Sequence, residues 1–258
     1  MTRHNGDISI GFMPLSEEQR LRSGKASFLS DSNFPHSVEA YVKGMKIELV
    51  QSLYQKYSKL HLSFESDRPI AIRGLKQRLI RTLKTIGGYG VPSCYLHRCL
   101  LWQRSGNSLR RIEAQRSEPI PSWSWMAYMG EIEYMKIPFG KVLWDDSISL
   151  PFGTSGPSID GQRESVPPEV EAKAWDIADL PGQSLVLDEP KRTLTGALKC
   201  VIVGANKEQE VDPHQIHYTL ILSKSLHGKC NMYERVGVGF LERRNIKLDR
   251  PAEVIRIQ

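Results

Sequence analysis

The chain has 258 residues, 40% hydrophobic and 25% charged, with a net charge of +6 and a pI near 9.1. The composition is that of an ordinary soluble globular protein able to bury a real core, and its mild basicity permits an acidic partner without demanding one. Four dispersed cysteines (Cys94, Cys99, Cys200 and Cys230) exclude a small disulfide-framed scaffold, and no apolar run approaches the roughly 20 residues that would span a bilayer.

Residues 1–37 are polar, rich in Ser, Asn and Gly, and without a sustained period, so they read as a flexible lead-in with no signal-peptide core. The expectation is a soluble, intracellular, cytoplasmic protein with free thiols. No dense Lys/Arg cluster marks a nuclear signal, and the nucleus stays open. From Val38 the pattern turns helical, with Val38, Val42, Met45, Leu49, Leu53 and Tyr57 on one face. A second helix starts at Asp67 and Pro69, carries the stripe Ile72, Leu75, Leu79, Leu83 and Ile86, and stops at Gly87-Gly88. The two helices are expected to pack as an antiparallel pair or against the sheet that follows.

From Arg68 to Arg116 there are eleven basic residues against one acid, Glu113. The plain reading is a solvated face paired with acids elsewhere. The sharper one is a phosphate-binding patch, which requires Arg73, Lys76, Arg81, Arg98 and Arg110 to share one exposed face. Neither interleaved aromatics nor a known module supports it, so nucleic acid is the less favoured partner.

Tyr95 to Arg104 is a compact apolar run that reads as a strand, with helix possible. The stretch from Pro121 to Trp144 is the expected centre of a β-rich core. In an extended strand Trp123 and Trp125 share one face and Ser122 and Ser124 the other. Both indoles are expected to be buried and closed over by strands of the second half; a sugar-binding platform would need them exposed. Turns are expected at Met129-Gly130 and Phe139-Gly140, and residues 151–168, rich in Gly, Pro and Ser, read as a loop. Strands are expected over Val170–Trp175, Ser184–Leu187, Leu194–Val203, His217–Leu222, Tyr233–Leu241 and Glu253–Ile257. Gly237 and Gly239 share a face, which implies a closely packed neighbour. The fold class is therefore α+β, two N-terminal amphipathic helices followed by a predominantly antiparallel sandwich- or barrel-like half. It forms one domain over 38–258, divided into a helical part (38–90), first strands (91–150), the loop (151–168) and a C-terminal β part (169–258).

No catalytic, cofactor or metal residue is assigned. Cys94 and His97 lack an orienting carboxylate at a known spacing. A zinc site assembled from Cys94, His97 or Cys99 with His227 and Cys230 has plausible spacing, but its halves must meet across the fold. Gly87-Gly88-Tyr89-Gly90 follows a helix, the wrong order for a phosphate cradle. Asp145-Asp146 reads as a solvated strand end, and Glu131 and Glu133 as the solvent face of a strand rather than a glycosidase pair.

Four blocks, in order, carry a family resemblance. They are Asp67-Arg68-Pro69-Ile70-Ala71-Ile72-Arg73-Gly74-Leu75, the run Leu96 to Arg104 containing Leu100-Leu101-Trp102, Pro121-Ser122-Trp123-Ser124-Trp125, and Arg235-Val236-Gly237-Val238-Gly239. Together they resemble the region downstream of the HET domain in fungal heterokaryon-incompatibility proteins. The blocks that mark the HET domain itself do not occur here, so the chain looks like the C-terminal part without that domain, whether a fragment or a stand-alone module. The resemblance implies a non-catalytic interaction or regulatory role in nonself recognition and cell death, with a protein partner, either a HET domain or another chain. A Cys/His metal protein or enzyme and a nucleic-acid binder are the competing classes.

Overall fold

Alternation of apolar and polar residues organises the second half. The computed structural model describes residues 43–60, 68–112, 120–148, 168–179, 184–194, 196–209, 212–225 and 231–258. All of these residues fall in one compact unit, Tyr41–Gln258. The lead-in and most of the 151–168 loop lie outside the described residues.

In the second half the strands are β8 (Val170–Asp176), β9 (Leu185–Leu187), β10 (Lys199–Asn206), β11 (Ile216–Lys224), β12 (Met232–Glu242) and β13 (Glu253–Ile257). Strands β8, β10, β11 and β12 pair in succession as an antiparallel meander. A 3-10 turn at Arg243–Asn245 then leads to β13, which runs antiparallel to β8 and parallel to β12. This closes a five-stranded barrel and removes the open edges a sheet must otherwise protect. The fold is thus mixed α+β, mostly strand, with the barrel alternative realised. The strand expected over Leu194–Val203 begins later, at Lys199. Buried Cys200, Ile221, Val236 and Leu241 pack with Ile246 into one apolar cluster. Burying each large side chain there stabilises by roughly 1.5–3 kcal/mol.

Strand β9 flanks β12 at Gly237–Gly239. A Cβ on Gly237 would collide with the Val186 carbonyl oxygen, and one on Gly239 would sit 2.6 Å from Leu185 Cδ2. This is the close approach that the paired glycines imply.

The first half holds α1 (Lys43–Ser58), α2 (Arg68–Ala71) and α3 (Arg73–Thr82). The buried face of α1 is formed by Ile47, Leu49, Val50, Leu53, Tyr54 and Ser58, so Ile47, Val50 and Tyr54 replace Met45 and Tyr57 of the expected stripe. This face meets a short strand, Ile132–Tyr134, whose Ile132 N–H donates to Ser58 Oγ at 3.0 Å. The second helical segment is interrupted at Ile72 and ends at Thr82, before Gly87-Gly88. Its last turn closes with Thr85 N–H donating to the Ile80 carbonyl and Lys84 N–H to that of Arg81, with Lys84 itself left-handed (φ 49°). That bond pattern satisfies the terminal carbonyls without a glycine, which is why the helix stops early. Asp67, the expected cap, lies outside the described residues.

Gly87–Gly88 (β1) instead pairs with Val91–Pro92 (β2) around Tyr89-Gly90, both at positive φ, in a two-residue hairpin. The run expected as a strand over Tyr95–Arg104 divides into a 3-10 turn, a helix α4 (Leu96–Leu100) and strand β3 (Trp102–Arg104). Strand β3 pairs with β6 (Ile132–Tyr134), and β4 (Arg110–Arg111) pairs with β5 (Tyr128–Met129). The turn glycines Gly130 and Gly140 both have positive φ. Strand β7 (Val142–Trp144) joins the large sheet beside β10.

Candidate functional site

The segment Pro121–Ala127 is not a strand. It forms a tight turn followed by a 3-10 turn over Trp125–Ala127, and both serines point inward. Ser124 Oγ donates to the Tyr89 carbonyl at 2.7 Å and accepts from Met126 N–H at 3.1 Å, capping the 3-10 turn. Ser122 Oγ donates to the Gln258 carbonyl and accepts from Arg235 N–H at 2.9 Å. A hydroxyl can donate and accept at once, so each serine satisfies two backbone groups in the interior. The strand with indoles on one face and serines on the other is therefore not formed.

Both indoles are fully buried, as expected, but they diverge. Trp123 faces the second half: its Nε1 donates to the Pro168 carbonyl at 3.2 Å, and its ring meets Tyr89 edge-on. Trp125 faces α1, 5.3 Å from the Tyr54 ring and 6.1 Å from Tyr57, with the Arg68 guanidinium 5.4 Å above it. Among the described residues its Nε1 has no hydrogen-bond partner.

Between these two sides lies Arg235, whose side chain is fully buried. Its guanidinium lies 3.3 Å from the centre of the Trp102 ring and donates to both carboxylate oxygens of Asp188 at 3.2 and 3.1 Å. Its remaining bonds go to the carbonyls of Leu100 (2.8 Å) and Trp102. Trp102 Nε1 in turn donates to the Trp123 carbonyl at 2.9 Å. Asp188 is equally buried. Burial pushes its carboxyl up while Arg235 pulls it back, and burial lowers the guanidinium while Asp188 raises it. A planar fork matched to a carboxylate is the geometry that makes such a pair tolerable in an apolar interior. Neither burial nor partner was read from the sequence.

Arg68, counted as part of a basic patch, is also buried. It donates to the carbonyls of Ser58 and Gly130, both at 3.2 Å, and its Nε has no partner. No ion pair joins it to a carboxylate among the described residues, and burial lowers its pKa to about 10 against the opposing pull of Tyr57.

The other candidate groups do not assemble. Cys94 is exposed while Cys99 is buried, its thiol pushed up by desolvation. The His97 ring stacks on Trp144 at 5.4 Å, with Nε2 2.9 Å from the Asp145 carbonyl. His227 and Cys230 lie outside the described residues, and no cluster of three or more His, Cys, Asp or Glu fit for a metal occurs among those described. Asp145 Oδ1 accepts from Ser147 N–H as a local turn. Glu133 accepts from Gln103 across the β3–β6 pair, and Glu131 pairs with Lys59 at 3.4 Å. Of the five cations expected on one exposed face, Lys76 and Arg98 are half-buried. Arg98 donates to the carbonyls of Ile137 and Pro138, with its guanidinium over Phe139, whereas Arg110 lies on β4.

A shallow cleft of about 260 Å³ lies beside the barrel, lined in part by Trp175, Asp176, Lys199, Lys247, Arg250 and Glu253. Lys199 Nζ bridges Asp176 at 2.7 Å and Glu253 at 3.1 Å. The cleft's central cation is therefore already neutralised from within.

Among the described residues no helix is long and apolar enough to cross a membrane. No family model, curated protein or solved structure matches the chain.

Proposed function

We propose that this chain is a non-catalytic module of the heterokaryon-incompatibility type, acting by contact with another protein in nonself recognition and cell death. The observation that supports this reading is the Arg235 junction. Arg235 comes from the last of the four resemblance blocks, and its own contacts reach Leu100 and Trp102 of the second and Ser122 of the third. Arg68, from the first, lies over Trp125 of the third. The residues that carry the resemblance are those that hold one buried centre, the behaviour of a scaffold and not of a reaction site. In this reading α1 and α3 are the amphipathic helical layer, and the partner is a HET domain or a second chain met in the cytoplasm.

The test is calorimetric titration of the folded chain with a purified HET domain, alongside co-expression in a fungal host. Saturable binding, together with a change in HET-triggered growth arrest, is expected. Absence of both would overturn the proposal.

A further inference from the structure

Helix α3 and the turn after it present an outer face that is basic and, among the described residues, carries no ion pair at its exposed cations. Arg73, Arg78, Arg81 and Lys84 are all exposed, whereas Ile72 and Leu79 are buried on the opposite side. Among the described residues none of these four cations has an ion pair. Some surface cations elsewhere are paired, Lys141 with Glu208 at 3.0 Å and Arg256 with Glu169 at 3.5 Å, while others, such as Lys136 and Lys173, have no ion pair among the described residues. At 1.5 Å per residue, Arg73 and Arg81 lie about 12 Å apart along the axis; the three helical arginines point away from the buried side, and Lys84 follows just past the helix end. Gly74 sits among them, and a Cβ there would meet nothing within 4 Å, so an extended polymer can approach the helix closely.

We propose that this face binds the phosphodiester backbone of nucleic acid without reading its sequence. Three of the four cations are arginines, whose planar fork matches phosphate oxygens better than a point charge does. The alternative anionic surface, a lipid bilayer, requires apolar side chains to insert. The apolar stripe of α3 is turned into the protein, and Ile70, 56% exposed just before the helix, is a single side chain with too little area to hold a membrane. A protein partner would need an anchor of aromatic or aliphatic groups at the centre of the contact, and the centre here is Gly74, Gln77 and arginine.

The experiment is fluorescence anisotropy of the whole chain with labelled oligo(dT) and with a labelled duplex of arbitrary sequence, across a salt series. Four phosphate contacts give a log–log slope near −2.8 for single strands and −3.6 for duplex, so affinity should fall about 50-fold or about 150-fold between 50 and 200 mM salt. The variant R73Q/R78Q/R81Q/K84Q, with folding checked by near-ultraviolet circular dichroism, should lose binding and most of the slope. The variant K141Q/R256Q, which removes cations already paired with acids, should bind as the parent does. The proposal is overturned by no binding at 50 mM salt, by equal loss in both variants, or by an unchanged quadruple variant. Retention on phosphatidylserine-containing vesicles without binding to either oligonucleotide would also overturn it, assigning the face to a membrane.

Discussion

Replacing Arg235 with methionine removes the guanidinium and keeps much of the side-chain volume. Its partner Asp188 then stays as a buried acid with no cation, and breaking such a pair on one side costs about 3–5 kcal/mol. The carbonyls of Leu100 and Trp102 also lose their donor, each worth about 1–3 kcal/mol if nothing relaxes to replace it. A loss of about 5 kcal/mol is expected, as large as the whole stability of many domains. Asp188→Asn keeps one acceptor but turns an amide donor toward the guanidinium, and is expected to cost about 3 kcal/mol. The double variant R235M/D188L leaves no unpaired charge, so it should be more stable than R235M alone by about 2 kcal/mol or more. Urea unfolding followed by tryptophan fluorescence reads all three, since Trp102 lies against the guanidinium. Single-variant losses below about 1 kcal/mol, or a double variant no more stable than R235M alone, would refute the picture of a coupled buried pair.

The three buried tryptophans should respond unequally to phenylalanine. Trp102→Phe orphans the Trp123 carbonyl and should cost about 1–3 kcal/mol beyond lost volume, whereas Trp125→Phe deletes a donor that has no partner and should cost less; urea midpoints rank them. Burial holds the imidazole of His217 below its ordinary pKa despite its bond to the Gln215 carbonyl. Its contribution is therefore fully present above about pH 6.5 and lost as pH falls through the lower folded-state value, so His217→Gln should flatten the fall in stability just below pH 6.5. Bonding and charge from Arg192 overcome the effect of burial and hold Glu234 below its ordinary range, so its share is lost only at more acid pH, near and below about 4. In a C230S background, a thiol reagent should label Cys94 in the native protein and leave Cys99 and Cys200 untouched until unfolding, since Cys200 is pushed up to about 12 by burial; rapid native labelling of all three would contradict the packing.

The barrel strands were legible because period-two alternation survives burial on one face, and Gly237 and Gly239 announced a close neighbour that β9 supplies. Pro121–Trp125 shows where alternation misleads. Its i, i+2 spacing reads as two faces of a strand, yet the segment is a turn in which each serine hydroxyl takes over two backbone bonds and is as buried as the indoles. Charge counting failed for Arg68 in a similar way, because a count cannot separate a solvated cation from one held by carbonyls. For Arg235 the available signal was an arginine set in an apolar, glycine-bearing strand. Its partner Asp188 lies 47 residues earlier, in a stretch with no pattern to point to it.

The bonds of Arg235 to Leu100 and Trp102 join residues 135 and 133 apart, and Ser122 reaches Gln258 across 136. A ribosome emitting this chain therefore exposes Trp102 and Trp123 long before all of their covering partners exist, since Arg235 and Pro168 come later. Contacts of such separation form late and slowly, and the half-made chain carries adhesive aromatic surface throughout. The protein should depend on chaperones during synthesis, and its yield in a foreign host should rise with slower, cooler expression more than with any single stabilising substitution.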